Sequence, residues 1–154
     1  VEMAGIFEAV QRIFQQRATD KGVSLEFDFG PQGASILGDA PLLRRIVANL
    51  VSNGINFTPQ NGKVTASLIQ SDSGGIDLVV EDTGCGIATE DIPRILTPFG
   101  QLDTSFNREN EGIGLGLTLV VAFTELHGGT VDIESELEQG TKVSARFPSD
   151  NCIV

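Results

Sequence analysis

Apolar residues recur along this chain in two rhythms. Between residues 3 and 20, Ile6, Phe7, Val10, Ile13 and Phe14 fall three and four apart, which predicts an amphipathic helix. The segment VSLEFDF (23–29) alternates instead and predicts a strand. The helical rhythm returns in DAPLLRRIVANLVSNGINF (39–57), with Asp39 as N-cap and Pro41 in the first turn. After a turn at PQNGK come two strands, about 63–70 and 75–82, joined by SDSGG. Ala88 to Leu96 predicts a short helix, Leu115 to Leu126 a longer one, and GGTVDIESE with GTKVSARF a closing hairpin. Residues 97–114 show no periodicity and contain Pro98, Gly100, Asp103, Asn107, Asn110 and Gly112; a loop of that length in a compact domain is usually functional. The mixture of strand pairs and helices predicts an α/β (α+β) two-layer sandwich: a mixed, mostly antiparallel sheet covered on one face by helices.

Length and charge narrow the picture. The 154 residues fit one domain, 1–154. The net charge of −11 argues against a broad nucleic-acid or anionic-membrane surface, though not against a local phosphate site. Cys85 and Cys152 make neither a disulfide framework nor a metal cluster, and His127 alone cannot build a zinc site. A reducing, cytoplasmic setting is expected. The apolar runs are too short to span a bilayer. The opening VEMAGIFEAVQRIF is amphipathic and lacks the pattern of a secretory leader; the chain is expected to be a fragment of a longer protein.

Three places carry candidate chemistry. In EDTGCGIATEDI (81–92) an apolar strand stops at two acids and hands over to Thr83-Gly84-Cys85-Gly86; this is either an acidic turn or a carboxylate, Asp82, fixed at a strand end to bind something. In the helix over 39–57, Asn49, Asn53 and Asn56 lie one turn apart on the face opposite the apolar stripe. Asn is a poor helix former, so three together make a weak helix surface. The face is either a solvated polar surface, which Lys and Glu would serve better, or a set of neutral hard oxygens for Mg²⁺ that phosphates and water also hold. In NEGIGLGLTLVV, Gly112, Gly114 and Gly116 alternate just before a helix, where backbone N–H groups and the helix dipole favour an anion. Neither a P-loop nor the dinucleotide fingerprint is present.

In order and spacing these blocks resemble the catalytic ATP-binding domain of two-component sensor histidine kinases, a superfamily shared with gyrase, mismatch-repair ATPases and a heat-shock chaperone. NLVSNGINFTP is similar to its N box, DTGCGI to its first glycine box, TPFGQ to its F box and GIGLGL to its second glycine box; LHGGTVDIES with GTKVSARFP matches its usual ending. The likeness covers about residues 36–148. It implies a Bergerat-type fold with an ATP lid at about 97–114. It implies ATP or ADP and Mg²⁺ as cofactors, and γ-phosphoryl transfer to a histidine on a separate dimerisation domain that this chain lacks, with a response regulator downstream. No nucleic acid and no direct membrane contact are expected for this domain, although the parent protein could be membrane-anchored. Asp82 would accept from the adenine amino group, Gly84 and Gly86 would let the chain pass close to the base with Ile87 beside it, and Thr141 would support the same pocket. Asn53 would ligate Mg²⁺, with Asn49 and Asn56 near the phosphates. Phe99 would anchor the lid. Arg108 would contact phosphate, with Gly112, Gly114, Leu115 and Gly116 closing the site. Asn53 and Arg108 would carry catalysis.

The chain departs from the family pattern at several points. Asn56 stands where Lys is usual, so a cation near the phosphates is missing; Arg45 stands where Gln or Glu is usual; Glu111 and Ile113 replace a common Gly and Thr. The alternative reading is therefore a nucleotide-binding but catalytically weak regulatory module. A chaperone- or topoisomerase-type ATPase would need a water-activating carboxylate one turn before Asn49, where Arg45 stands. His127, in ELHGGT, is expected to be a helix C-terminal residue favoured by the dipole rather than a phosphoacceptor. Cys85 is expected to be a small filler.

Overall fold

The computed structural model describes residues 1–96 and 111–153. Helix α1 (Met3–Lys21) leads to strand β1 (Ser24–Asp28), the short β2 (Ser35–Ile36) and helix α2 (Ala40–Phe57). The hairpin β3 (Lys63–Gln70) and β4 (Ile76–Asp82) follows, then a 3-10 turn at Thr89–Asp91 and the short α3 (Ile92–Leu96). Helix α4 (Glu111–Leu126), the hairpin β5 (Thr130–Glu136) and β6 (Gly140–Phe147), and β7 (Cys152–Ile153) complete the described chain.

Five strands form one sheet in the order β1-β3-β4-β6-β5. β1 runs parallel to β3 and the other neighbours are antiparallel. The strands alternate as the sequence predicts: Val64, Ala66 and Leu68 of β3, and Ile76, Leu78 and Val80 of β4, are all buried. Period-2 alternation puts each set on one face, where α2 covers it, while α4 packs on β5 and β6. α1 packs on α2 and on β1. Its Phe7 is fully buried and sits edge-on to Phe27 and Phe29, with ring centroids 5.4 and 5.7 Å away. Burying such a side chain is worth about 1.5–3 kcal/mol, enough to fix which face of α1 turns inward. Cross-strand ion pairs, Lys63 with Glu26 and Arg146 with Asp77 and Asp132, join neighbouring strands of the sheet.

α2 starts where the sequence says it should. Asp39 is its N-cap and accepts from the Leu42 N–H at 3.0 Å, with Pro41 in the first turn. Three elements differ from expectation. α4 begins at Glu111, four residues ahead of Leu115, so Gly112 and Gly114 are helical. Each glycine disfavours a helix by about 1 kcal/mol, and packing of α4 against α2 overrides that local preference. Ile13 is 62% exposed, because the buried stripe of α1 runs through Met3, Ile6, Phe7 and Val10 and Ile13 falls at its edge. β2 pairs with β7, Ser35 opposite Ile153 and Ile36 opposite Cys152; strands of two residues are too short to show a rhythm. Among the described residues no helix is long and apolar enough to cross a membrane.

Candidate functional site

The carboxyl end of β4, the side of α2 and the start of the α4 core line a pocket that opens to solvent. Its apolar walls are Leu50 and Phe57 from α2, Val80 from β4, Val143 from β6 and Leu117 from α4, with Ile87 alongside. Its polar lining includes Asp82, Thr141 and Asn53. Leu50, Asn53 and Phe57 share one face of α2 by helical spacing. Val80 and Asp82 share one face of β4, and Thr141 and Val143 are their cross-strand partners in β6. Phe57, Leu50, Val80, Leu117 and Val143 are lining residues that motif reading missed. The same spacing rules would have found them once one member of each set was placed.

Asp82 is fixed by the turn that follows it. Its Oδ1 accepts from the Gly84 N–H at 2.8 Å. Burial raises its carboxyl pKa above the ordinary value, opposed by the backbone N–H groups of Gly84 and Thr141 and helped by the neighbouring Glu81. The carboxylate is thus held, partly desolvated, at the edge of an apolar pocket. The turn itself is pinned on three sides: the Thr83 N–H donates to Lys63 O, the Cys85 N–H to Phe57 O, and the Ile87 N–H to Ser135 Oγ at 2.7 Å. The glycines also have a reason within the protein itself. A Cβ at Gly84 would lie 2.3 Å from Phe57 O, and one at Gly86, whose φ is +76°, would lie 2.2 Å from Glu136 O. The glycines are required by close approach to the protein's own backbone. Cys85 between them is an exposed free thiol, not a filler.

The three asparagines do not act as one row. The amide nitrogens of Asn49 and Asn53 are buried with no hydrogen-bond partner among the described residues. Unpaired buried donors are uncommon and call for an explanation. Asn53 reaches the pocket and lies against Gly116, where a Cβ would stand 2.8 Å from its Nδ2. Gly116 therefore lets α4 close on Asn53. Asn56 turns the other way: its Oδ1 accepts from Arg17 Nη2, whose Nη1 donates to Ser52 Oγ at 3.4 Å. Lys21 Nζ donates to Ile55 O and Asn56 O at 2.8 and 2.7 Å, supplying the cation that the C-terminal end of α2 lacks in its own sequence. Two cations of α1 thus stand around the position where a lysine is missing. Arg45 points elsewhere, its guanidinium 5.8 Å from the centre of the Phe123 ring. Gly112, Gly114 and Leu115 lie in the first turns of α4, while Phe99 and Arg108 fall outside the described residues.

His127 is buried rather than a solvated charge at a helix end. The Asp39 N–H donates to its Nε2 at 3.1 Å, so the ring donates through Nδ1 to Phe123 O at 2.7 Å. An imidazole that accepts at one nitrogen and donates at the other is neutral. It ties the cap of α2 to the end of α4.

Among the described residues no group of His, Cys, Asp and Glu could hold a metal ion. A cation here would rest on the Asn53 carboxamide and on oxygens that a ligand brings, and a hard ion that keeps several waters fits that donor set.

The profile of the histidine kinase-, DNA gyrase B- and HSP90-like ATPases matches residues 38–151. The chain belongs to this family. Relatives include the histidine protein kinase DivJ of Caulobacter vibrioides, 42% identical over 141 residues, covering 92% of this chain and 23% of that protein. The chain thus spans about a quarter of the length of that curated relative. Full-length ShkA, solved in complex with AMPPNP, is similar in structure: TM-score 0.78, 31% identity, 96% of this chain and 30% of that one. The mycobacterial sensor histidine kinase MprB gives a TM-score of 0.78 at 25% identity, covering 96% of this chain and 95% of that chain. The mixed sheet under one layer of helices is the fold of these ATPase domains. In this family member β4 ends at the pocket mouth, so a single backbone turn sets both the base of the site and its carboxylate.

Proposed function

We propose that this chain is the ATP-binding catalytic domain of a sensor histidine kinase in two-component signalling. It binds Mg-ATP and donates the γ-phosphate to a histidine on a separate dimerisation domain of the parent protein, from which a response regulator is served. The observation that carries this reading is Asp82: an acceptor-only carboxylate fixed in a partly desolvated pocket beside Thr141 and a carboxamide-bearing helix. An ionised carboxylate selects a donor, which the adenine amino group is and the guanine carbonyl is not. The complex of ShkA with AMPPNP, a structure similar to this one, supports an adenine nucleotide as ligand.

In phosphoryl transfer the protein chiefly positions the phosphates and neutralises charge. In this reading Asn53 holds the Mg²⁺, which supplies the main neutralisation, and Asn49 offers its amide, unpaired among the described residues, to a phosphate oxygen. The first-turn amides of α4, around Gly112, face the same anion. Arg108 and Phe99 enter by resemblance, as phosphate contact and lid anchor. Arg17, held at Asn56, returns a cation to the flank of the helix where the family pattern would place Lys. This weighs toward an active kinase over the catalytically weak module. A cytoplasmic placement of the domain goes with this function.

The test has two stages. Calorimetry with ATP and GTP in Mg²⁺ should show binding of ATP and marked discrimination against GTP. Phosphotransfer to a supplied acceptor domain then separates the active kinase from the weak module, which would bind and not transfer.

A further inference from the structure

Ser135 closes the LHGGTVDIES block and was given no role in the site, yet its hydroxyl has three hydrogen-bond partners beside the pocket. It lies on β5, opposite Thr141 in the β5–β6 register. Its Oγ accepts from the Ile87 N–H at 2.7 Å, donates to Gly140 O at 3.0 Å and lies 2.8 Å from Thr141 Oγ1.

A serine hydroxyl has one proton and two lone pairs. The Gly140 carbonyl can only accept, so it takes the proton. The Ile87 N–H can only donate, so it takes one lone pair. The second lone pair is left for Thr141, whose own hydroxyl must therefore donate to Ser135. Thr141 lines the pocket, and with its proton committed it can offer the pocket only lone pairs. Its cross-strand partner there is Asp82, itself an acceptor when ionised. A polar group placed between the two must donate.

We propose that Ser135 is a specificity-determining positioning residue: by fixing the Thr141 proton away from the pocket, it makes the polar end of the site all-acceptor and so selects a 6-amino purine over a 6-oxo purine. The same hydroxyl holds Ile87 and with it the end of the turn that carries Asp82, so base selection and turn geometry depend on one side chain. The proposal rests on the nucleotide-binding reading above.

The probes are ATP and ITP, which differ at position 6 of the base, titrated by calorimetry into the folded domain with Mg²⁺. In Ser135→Ala the Thr141 hydroxyl is free to rotate and donate to a 6-oxo group. The ATP-to-ITP affinity ratio should fall about fivefold, the worth of one neutral hydrogen bond, and Ser135→Thr should restore it. A purely structural role for Ser135 would weaken both ligands alike and leave the ratio unchanged, and that result would overturn the proposal. Should Ser135→Ala not fold, Thr141→Val carries the same decision: it removes the acceptor without touching the Ile87 bond, and an unchanged ratio there overturns the proposal equally. Absence of ATP binding by the unaltered domain would instead refute the nucleotide-binding reading itself.

Discussion

Replacing Asp82 by Asn should move affinity and stability in opposite directions. The change swaps one carboxylate oxygen for an amide and removes the charge. The remaining oxygen can still accept from the Gly84 N–H, so the turn over 83–87 keeps its anchor. What is lost is a charge-assisted acceptor for the adenine amine. Such bonds contribute about 1.5–3 kcal/mol, so ATP affinity should fall roughly 10- to 150-fold. Stability should rise at neutral pH. Burial holds the folded-state pKa of Asp82 above its ordinary value. Its stabilising contribution is therefore complete below the ordinary carboxylate pKa and is lost as pH rises through the folded pKa. At neutral pH the ionised group is a net penalty, and Asn does not carry it. Calorimetric melting of ligand-free protein should show the variant melting above wild type at pH 7 and the gap closing on acidification. Unchanged ATP affinity would refute the assignment of Asp82 to the base. A variant that melts lower at pH 7, with no convergence in acid, would refute the desolvation argument.

Asn53→Ala should abolish the Mg²⁺-dependent part of ATP affinity while circular dichroism and melting stay near wild type, since it deletes a buried amide that has no partner among the described residues; an unaltered Mg²⁺ dependence would exclude the metal role. Gly116→Ala should gain up to about 1 kcal/mol of helix propensity, yet weaken nucleotide binding, because the new Cβ stands 2.8 Å from Asn53 Nδ2 and must displace it. Unchanged affinity in titrations of that variant would show that Asn53 has room to spare. His127→Ala should lower unfolding free energy in urea by about 1–3 kcal/mol, the cost of leaving the Asp39 N–H without its acceptor, plus whatever the vacated space beside Gly38 adds; a change within error would mean that water replaces the ring without loss.

The sequence by itself determined the order and kind of most elements, because their signals are local. Asp39 caps α2 through a bond three residues long, the β3–β4 hairpin shows its period of two, and the apolar stripe of α2 needs no partner to be visible. Asp82 and Asn53 were legible as candidates because their residue types are costly or odd where they stand, an acid ending an apolar strand and an asparagine inside a helix, whereas Thr141 was reached only through the resemblance to the family's closing segment. The tertiary structure decided what depends on contacts between distant segments. Only the β4–β6 register sets Asp82 opposite Thr141, and only the β5–β6 hairpin brings Ser135 to Ile87 across 48 residues. The glycines at 84 and 86 read as approach to a ligand, and only the fold shows that the backbone oxygens of Phe57 and Glu136 demand them as well. Asn56 left its row for Arg17, 39 residues away, and His127 became a neutral tether to Asp39, 88 residues away. Hydrogen-bond partners and close contacts are properties of pairs, and periodicity and propensity describe single positions. The chain therefore announced which residues were available, and packing settled which of them meet.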